Sequence, residues 1–247
     1  MEYLIIFILG IIIGSFLNVC IYRIPKEESI LYPPSHCTSC KGKLKSYDLI
    51  PILSYILLKG RCRYCREKVS IRYPMIEFLT GILYVLVYIK YGVTLETIKY
   101  IIMVSILIVI GMIDLDTTNV YFKTTLTGFI VAVTFLALHV YMGLPVINYI
   151  YGSIIGGGTL SLIILITKGG MGWGDAEICS VCGLFLGFKL TLLMLFLSFI
   201  IGSVIGLALI ALKKKTRKDY VPFGPFIVVA SIITILWGQD IITWYLL

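Results

Sequence analysis

The feature that most constrains this chain is its division into apolar runs long enough to cross a bilayer. Eight such runs occupy residues 4–22, 75–90, 98–113, 122–141, 146–167, 176–188, 190–212 and 222–245. A transmembrane helix needs about 20 apolar residues, fewer where protein shields a short span. Lipid offers no partner for backbone N–H and C=O groups, so a run of this length has to be helical. Only 14% of the residues are charged, against about 25% in an ordinary soluble domain. The expected fold is therefore an all-α polytopic membrane protein with about eight transmembrane helices. The sixth run is the weakest and is expected to be short or fused with the seventh. The first run follows Glu2 rather than a basic segment, and no small-residue cleavage site precedes Arg23. It reads as a retained helix, not a signal peptide.

The distribution of charge sets the expected topology. Eleven Lys or Arg residues and only four acids lie between 23 and 73, which places that segment in the cytoplasm. Alternation of eight spans then puts 18 of the 21 basic residues inside, including Lys123, Lys168 and the cluster Lys213, Lys214, Lys215, Arg217 and Lys218. Both termini fall on the outer side. In a soluble protein a net charge of +8 would suggest nucleic acid; here it is a topology signal, and no nucleic-acid partner is expected. The cluster after residue 212 reads as an anchor to anionic membrane lipid.

Two acidic stretches interrupt the apolar sequence where this topology brings it to the cytoplasmic face. Ile113-Asp114-Leu115-Asp116 ends the third run, and Gly169-Gly170-Met171-Gly172-Trp173-Gly174-Asp175 opens the sixth. Asp114 and Asp175 are thus expected at the same depth on the same side. Two carboxyl groups a few ångströms apart resist joint ionisation, so one keeps a proton while the other does not. Such a pair can hold a water, take its proton during attack on an amide, and protonate the carbonyl oxygen. The plainer reading is that each Asp caps a helix or is solvated, and Asp175 before Ala176 is well placed as a cap. Asp116 suits the role of a solvated neighbour. Glu177 either tunes the pair or faces another helix, and Glu77 is expected to pair with a basic or amide group. Gly156-Gly157-Gly158 reads as close helix packing.

Cys37-Thr-Ser-Cys40 and Cys62-Arg-Tyr-Cys65 are two CxxC pairs 21 residues apart. Cys37, Cys40, Cys62 and Cys65 at this spacing suit a tetrahedral zinc. A reducing cytoplasm disfavours disulfides, and a polar loop of this size needs such a staple to fold. Four sulfurs leave no open position for water, so the zinc is expected to be structural. Cys20, Cys179 and Cys182 lie in apolar runs and read as packing residues, and His139 as non-catalytic.

Gly172-Trp173-Gly174-Asp175 fits the GxGD signature of intramembrane aspartyl proteases, and the chain resembles the type IV prepilin peptidases. The likeness includes Gly14-Ser15-Phe16-Leu17-Asn18-Val19, Tyr22-Arg23-Ile24-Pro25 and the cysteine loop. It continues through Arg72-Tyr73-Pro74-Met75-Ile76-Glu77, Ile113-Asp114-Leu115-Asp116 and Pro222-Phe223-Gly224-Pro225-Phe226. The resemblance implies catalytic roles for Asp114 and Asp175. It implies a basic leader on type IV prepilin or pseudopilin precursors as substrate, and the plasma membrane of a prokaryote as location. It also implies N-methylation of the new amino terminus with S-adenosylmethionine, although no glycine-rich Rossmann turn is present. Two positions depart from the family pattern. Val120-Tyr121 stands where relatives have Leu/Ile-Pro, leaving Asp114 and Asp116 both open from the motif, and Glu177 stands where relatives often have Lys. The expected organisation is a first transmembrane helix (1–22), a cytoplasmic tetracysteine domain (23–73) and a membrane protease core (74–247). Two rivals remain at this level: a proton- or cation-coupled transporter using the membrane carboxylates, and a thiol oxidoreductase using the CxxC pairs.

Overall fold

The computed structural model describes residues 1–216, 219 and 221–246. Among these residues the α-helices are α1 (Glu2–Arg23), α2 (Leu53–Leu57), α3 (Arg72–Tyr91), α4 (Leu95–Thr117) and α5 (Phe122–Tyr141), followed by α6 (Ile147–Ile166), α7 (Trp173–Leu186), α8 (Phe188–Ala211) and α9 (Gly224–Leu246). The only strand pairing among them is two isolated bridges in the cysteine loop. Seven helices (α1, α3, α4, α5, α6, α8 and α9) are long and apolar enough to cross a membrane. Large apolar side chains such as Ile12, Phe196, Val204 and Leu207 stand exposed on them, as lipid-facing surfaces require. The chain is a multi-pass membrane protein. It divides into two compact units, residues 1–101 and 102–247.

In the first unit α1 and α3 run antiparallel. Gly10 lies against the backbone of Gly81, and Gly14 against that of Glu77. At one end Tyr3 and Tyr88 meet edge to face. At the other, buried Asn18 donates to the carbonyls of Gly14 (3.2 Å) and Tyr73 (3.1 Å). Pro74 sits in the first turn of α3, where its missing N–H has no helical partner to lose. The cysteine loop joins the 23 and 72 ends of the pair, so it lies wholly at that end.

The second unit is organised around α7. This helix has 14 residues, ten of them buried, and is about 21 Å long. It escapes the length requirement for a span because other helices, not lipid, surround it. It lies antiparallel to α6: Gly156 packs on the Cys179 carbonyl, Gly152 faces Gly183, and Gly157 rests on Ser180. A β-carbon at Gly152, Gly156 or Gly183 would collide with the opposing backbone, so the small residues are what permit this contact. Gly187 breaks α7 from α8 with φ +76, a conformation costly for any residue with a side chain. There Phe188 N–H donates to Asn148 Oδ1 (3.2 Å) near the start of α6. Despite its length, α7 therefore retraces most of α6.

Packing continues outward from α7. Gly128 of α5 fits between Val181 of α7 and Ile106 of α4. Buried Ser231 of α9 donates to Cys182 Sγ (3.5 Å), and Cys179 is fully buried beside it. His139 Nδ1 lies 2.8 Å from the Phe135 carbonyl, which accounts for its burial as part of the helix packing. After α8, Lys213, Lys214 and Lys215 are exposed; Arg217 and Lys218 of the basic cluster lie outside the described residues.

Candidate active site and metal centre

The positions of Asp114 and Asp175 follow from the helices that carry them. Ile106 and Val181 meet at one level through Gly128. From there α4 rises eight residues to Asp114 while antiparallel α7 rises six to Asp175, about 12 and 9 Å along their axes. The carboxyl groups arrive at the same end of the unit and lie within electrostatic range of each other. Both are buried, with 2% and 3% of their surface exposed. Asp116, two residues beyond Asp114, is exposed. On a helix, residues two apart point to opposite sides, so only Asp114 turns inward.

Asp175 is the third residue of α7, and the Gly172 amide at the helix start is turned toward its carboxyl group. Asp114 has the first residue of α9 beside it. The Gly224 amide is turned toward its carboxyl group, and a β-carbon on Gly224 would stand 2.5 Å from Asp114 Oδ2. The N-termini of α7 and α9 therefore both point at the pair, and free N–H groups at a helix start favour negative charge. Asp114 Oδ2 is buried without a hydrogen-bond partner. A buried acceptor left open is expensive unless something else uses it.

Two residues beside the pair have defined places. Val120, from the α4–α5 connection, presses on Gly174 so closely that no side chain would fit there. The Val120-Tyr121 departure thus serves as the surface on which the GxGD turn seats. Glu177 accepts from Thr125 Oγ1 of α5 at 2.8 Å and is directed away from the pair. Gly224 was legible only as part of a motif; the use of its amide depends on how α9 meets α4.

In the cysteine loop the ligand atoms of Cys37, Cys40, Cys62 and Cys65 all lie within 4.8 Å of one another. Cys37 Sγ and Cys65 Sγ are 3.8 Å apart, and a tetrahedral zinc with Zn–S bonds of about 2.3 Å would separate its sulfurs by about 3.8 Å. The two turns are local copies. Lys41 N–H donates to the Cys37 carbonyl and Arg66 N–H to that of Cys62 (2.9 and 3.0 Å), while Cys37 N–H and Cys62 N–H reach Gly42 and Glu67 carbonyls. Lys41 and Arg66 both take positive φ. The Cys40 amide, outweighing the burial penalty and helped by the Ser39 amide and the Cys62 and Cys40 thiols, holds the Cys37 thiol down to about 6. That favours the thiolate form that binds metal. Arg63 pairs with Asp48 at 2.6 Å, and Tyr64 and the Lys45 amide also donate to Asp48, tying the second turn to the 3-10 turn at Ser46–Leu49.

Comparison with known proteins gives these geometries a context. Residues 8–91 match the Bacterial Peptidase A24 N-terminal domain, and residues 101–207 match the Type IV leader peptidase family. The chain is 32% identical over 247 residues to a prepilin leader peptidase/N-methyltransferase of Bacillus subtilis (strain 168), covering 98% of this chain and 97% of that protein. Proteins of the same description from Aeromonas hydrophila and Neisseria gonorrhoeae are each 31% identical, over 98% and 97% of this chain and 92% and 93% of theirs. No solved structure matches. The carrier alternative finds no support in these relatives. Both the carboxylate turn and the cysteine loop fall inside matched segments of near full-length relatives, and the chain belongs to the type IV leader peptidase family.

Proposed function

We propose that this chain is a membrane aspartyl endopeptidase that removes the basic leader from type IV prepilin or pseudopilin precursors and then methylates the new amino terminus. The observation that carries the proteolytic half is the burial of Asp114 and Asp175 at one end of the second unit, within electrostatic range of each other. A water between them would lose a proton to whichever carboxylate is ionised and attack the scissile carbonyl carbon. The other carboxyl group would protonate the carbonyl oxygen, and the amine would leave with a proton returned from the pair. The unpartnered Asp114 Oδ2 is a natural place for the water or the shared proton. The two helix N-termini would balance the charge of the ionised member.

The excess of basic residues in 23–73 supports a cytoplasmic position for the cysteine loop. The active carboxylates then work at the cytoplasmic face of a prokaryotic plasma membrane, where an exported helix still carries its leader. Cys37, Cys40, Cys62 and Cys65 would hold a zinc that cross-links the loop. S-adenosylmethionine, when bound, supplies the methyl group as an electrophilic sulfonium.

The test is incubation of the purified protein in detergent with a prepilin-type precursor and S-adenosylmethionine, followed by mass spectrometry of the precursor's amino terminus. Loss of the leader and gain of one methyl group is the expected result. A precursor left intact by wild-type protein, together with cation-dependent uptake in proteoliposomes, would return the carrier reading.

A further inference from the structure

Inside the second unit, Asp175 and Gly224 stand at the starts of α7 and α9. Cys182 lies seven residues after Asp175 on α7, and Ser231 seven after Gly224 on α9. Seven residues advance a helix by about 10.5 Å and return to nearly the same face. The Ser231 hydroxyl donates to Cys182 Sγ at 3.5 Å. One contact therefore joins two parallel helices at equal depth below their starts, on the faces that carry Asp175 and Gly224. Helix α9 is tied to α4 as well. Val228 packs over Gly111, where a β-carbon would lie 3.1 Å from Val228 Cγ2, and Gly224 lies against Asp114. A continuous route from one carboxylate to the other thus runs through Asp114, Gly224, Ser231, Cys182 and Asp175.

The partner of the Ser231 hydroxyl sets it apart from other buried hydroxyls. Ser198 donates to the Leu195 carbonyl (2.8 Å), Thr191 to that of Gly187 (2.7 Å) and Thr80 to that of Ile76 (2.7 Å). Each of these bonds closes onto the residue's own chain one turn back, a partner within reach of any helical Ser or Thr. Ser231 instead reaches across to a thiol, which is a weak acceptor. Ser231 and Cys182 are both completely buried, so solvent does not compete for either. The bond holds while α7 and α9 keep this register; a slide of half a turn, about 2.7 Å, would part the two atoms.

We propose that Cys182 and Ser231 are positioning residues for peptide cleavage: their contact sets the height of Asp175 relative to Asp114, and with it the separation of the two carboxyl groups. The proposal rests on the proteolytic half of the function above. It adds to that half two fully buried side chains, about two turns from the carboxylates, that act through α7 and α9 and not on substrate. It also separates the two thiols of α7. Cys179, one turn from Asp175, has its carbonyl against Gly156 of α6, whereas Cys182 answers to α9.

The experiment is steady-state cleavage of one prepilin-type precursor by the purified protein in detergent, with kcat and KM separated and the thermal midpoint recorded for each variant. Ser231→Ala should lower kcat about three- to tenfold at unchanged KM, part of the roughly 10²-fold cost of a 1 Å misplacement. Ser198→Ala deletes an equally buried hydroxyl from α8 and is the comparator: it should keep the wild-type kcat, and Ser231→Ala should melt no lower than it does. Cys182→Ala should match Ser231→Ala in kcat, and the double variant should be no slower than either alone, because one contact is lost once. Cys182→Ser keeps an acceptor for the hydroxyl and should recover most of the rate. Wild-type kcat in Ser231→Ala, losses that multiply in the double variant, a loss confined to KM, an equal loss in Ser198→Ala, or no recovery in Cys182→Ser would each overturn the proposal. If Cys182→Ala fails to fold, Ser231→Ala and Cys182→Ser still decide. Failure of the proteolytic reading itself looks different, as a precursor that wild-type protein does not shorten.

Discussion

Gly224 stands where the Asp114 carboxyl group needs open space: a β-carbon there would lie 2.5 Å from Oδ2. The first residue of α9 therefore has two duties, to present its amide to the carboxylate and to present nothing else. The contact draws together the end of α4 and the start of α9, while Asp175 comes from the start of α7. Three helix ends meet at this one point.

Gly224→Ala follows directly from this contact. The methyl group must push the Asp114 carboxyl group aside or shift the start of α9. Misplacement of a catalytic group by about 1 Å can cost about 10²-fold, so leader cleavage should fall by roughly ten- to a hundredfold. Helical content by circular dichroism should stay as in wild type. Wild-type cleavage rates in a folded Gly224→Ala protein would show that this approach has no role in positioning the carboxylate.

The acids themselves give the sharpest contrast. Asp114→Asn and Asp175→Asn remove a proton acceptor or donor and should each lower cleavage by about 10²–10⁴-fold. Asp116→Asn, on the exposed side of the same turn, should stay within a few-fold of wild type, as should Glu177→Gln, whose carboxylate is engaged with Thr125. Initial rates on one precursor at one pH suffice. If Asp116→Asn were the inactive variant, the inward-facing carboxylate would not be the working one.

How far sequence carries this picture depends on the length scale of each feature. The long spans are legible because lipid demands about 20 apolar residues in a row. Two CxxC pairs are legible because their spacing is local, and the structure gathers their four sulfurs within 4.8 Å. Other features depend on tertiary contacts. Asp114 and Asp116 flank Leu115 with equal chemistry, and only packing of α4 against α9 buries one of them. Glu177 could have turned toward Asp175 or toward α5; Thr125 settles its direction. The 14 residues of α7 look too few for a span because hydropathy assumes lipid around a helix, whereas this one has protein. Glu77 was expected to meet a basic or amide group, and its partner is the Ile52 amide, 25 residues earlier in a loop whose path hydropathy does not describe.

The α6–α7 contact predicts where the second unit is least tolerant. Gly152 and Gly183 face each other backbone to backbone, as do Gly156 and the Cys179 carbonyl, whereas Gly158 has nothing within 4 Å of a β-carbon. Gly183→Val and Gly156→Val must separate the helices, and overpacking of this kind costs about 1–3 kcal/mol, occasionally more. A lower thermal midpoint in detergent is expected for both, with cleavage lost alongside it because α7 carries Asp175. Gly158→Val should melt close to wild type. Equal destabilisation by all three would mean that helix propensity, not the close approach, sets the effect.

Removal of metal should act on the first unit locally. The loop between α1 and α3 has few buried apolar residues, Cys62 being the only buried one between Ile24 and Ile71, so its order depends chiefly on the four sulfurs, with the Asp48–Arg63 pair a minor addition. An ion pair whose cation, like Arg63, is open to solvent contributes about 0–1 kcal/mol, while zinc bound to such a site contributes an apparent value of about 10–16 kcal/mol of folding free energy. Chelation, or Cys62→Ser, should therefore open residues 27–71 to limited proteolysis and release one zinc per chain by elemental analysis. The helices of the second unit, which take no ligand from the loop, should stay protected in the same digest. Loss of the Arg63 pair alone, in Arg63→Ala, should leave both zinc content and the digest pattern close to wild type. Were the chelated loop to resist protease as well as the loaded one, the four cysteines would not be its staple.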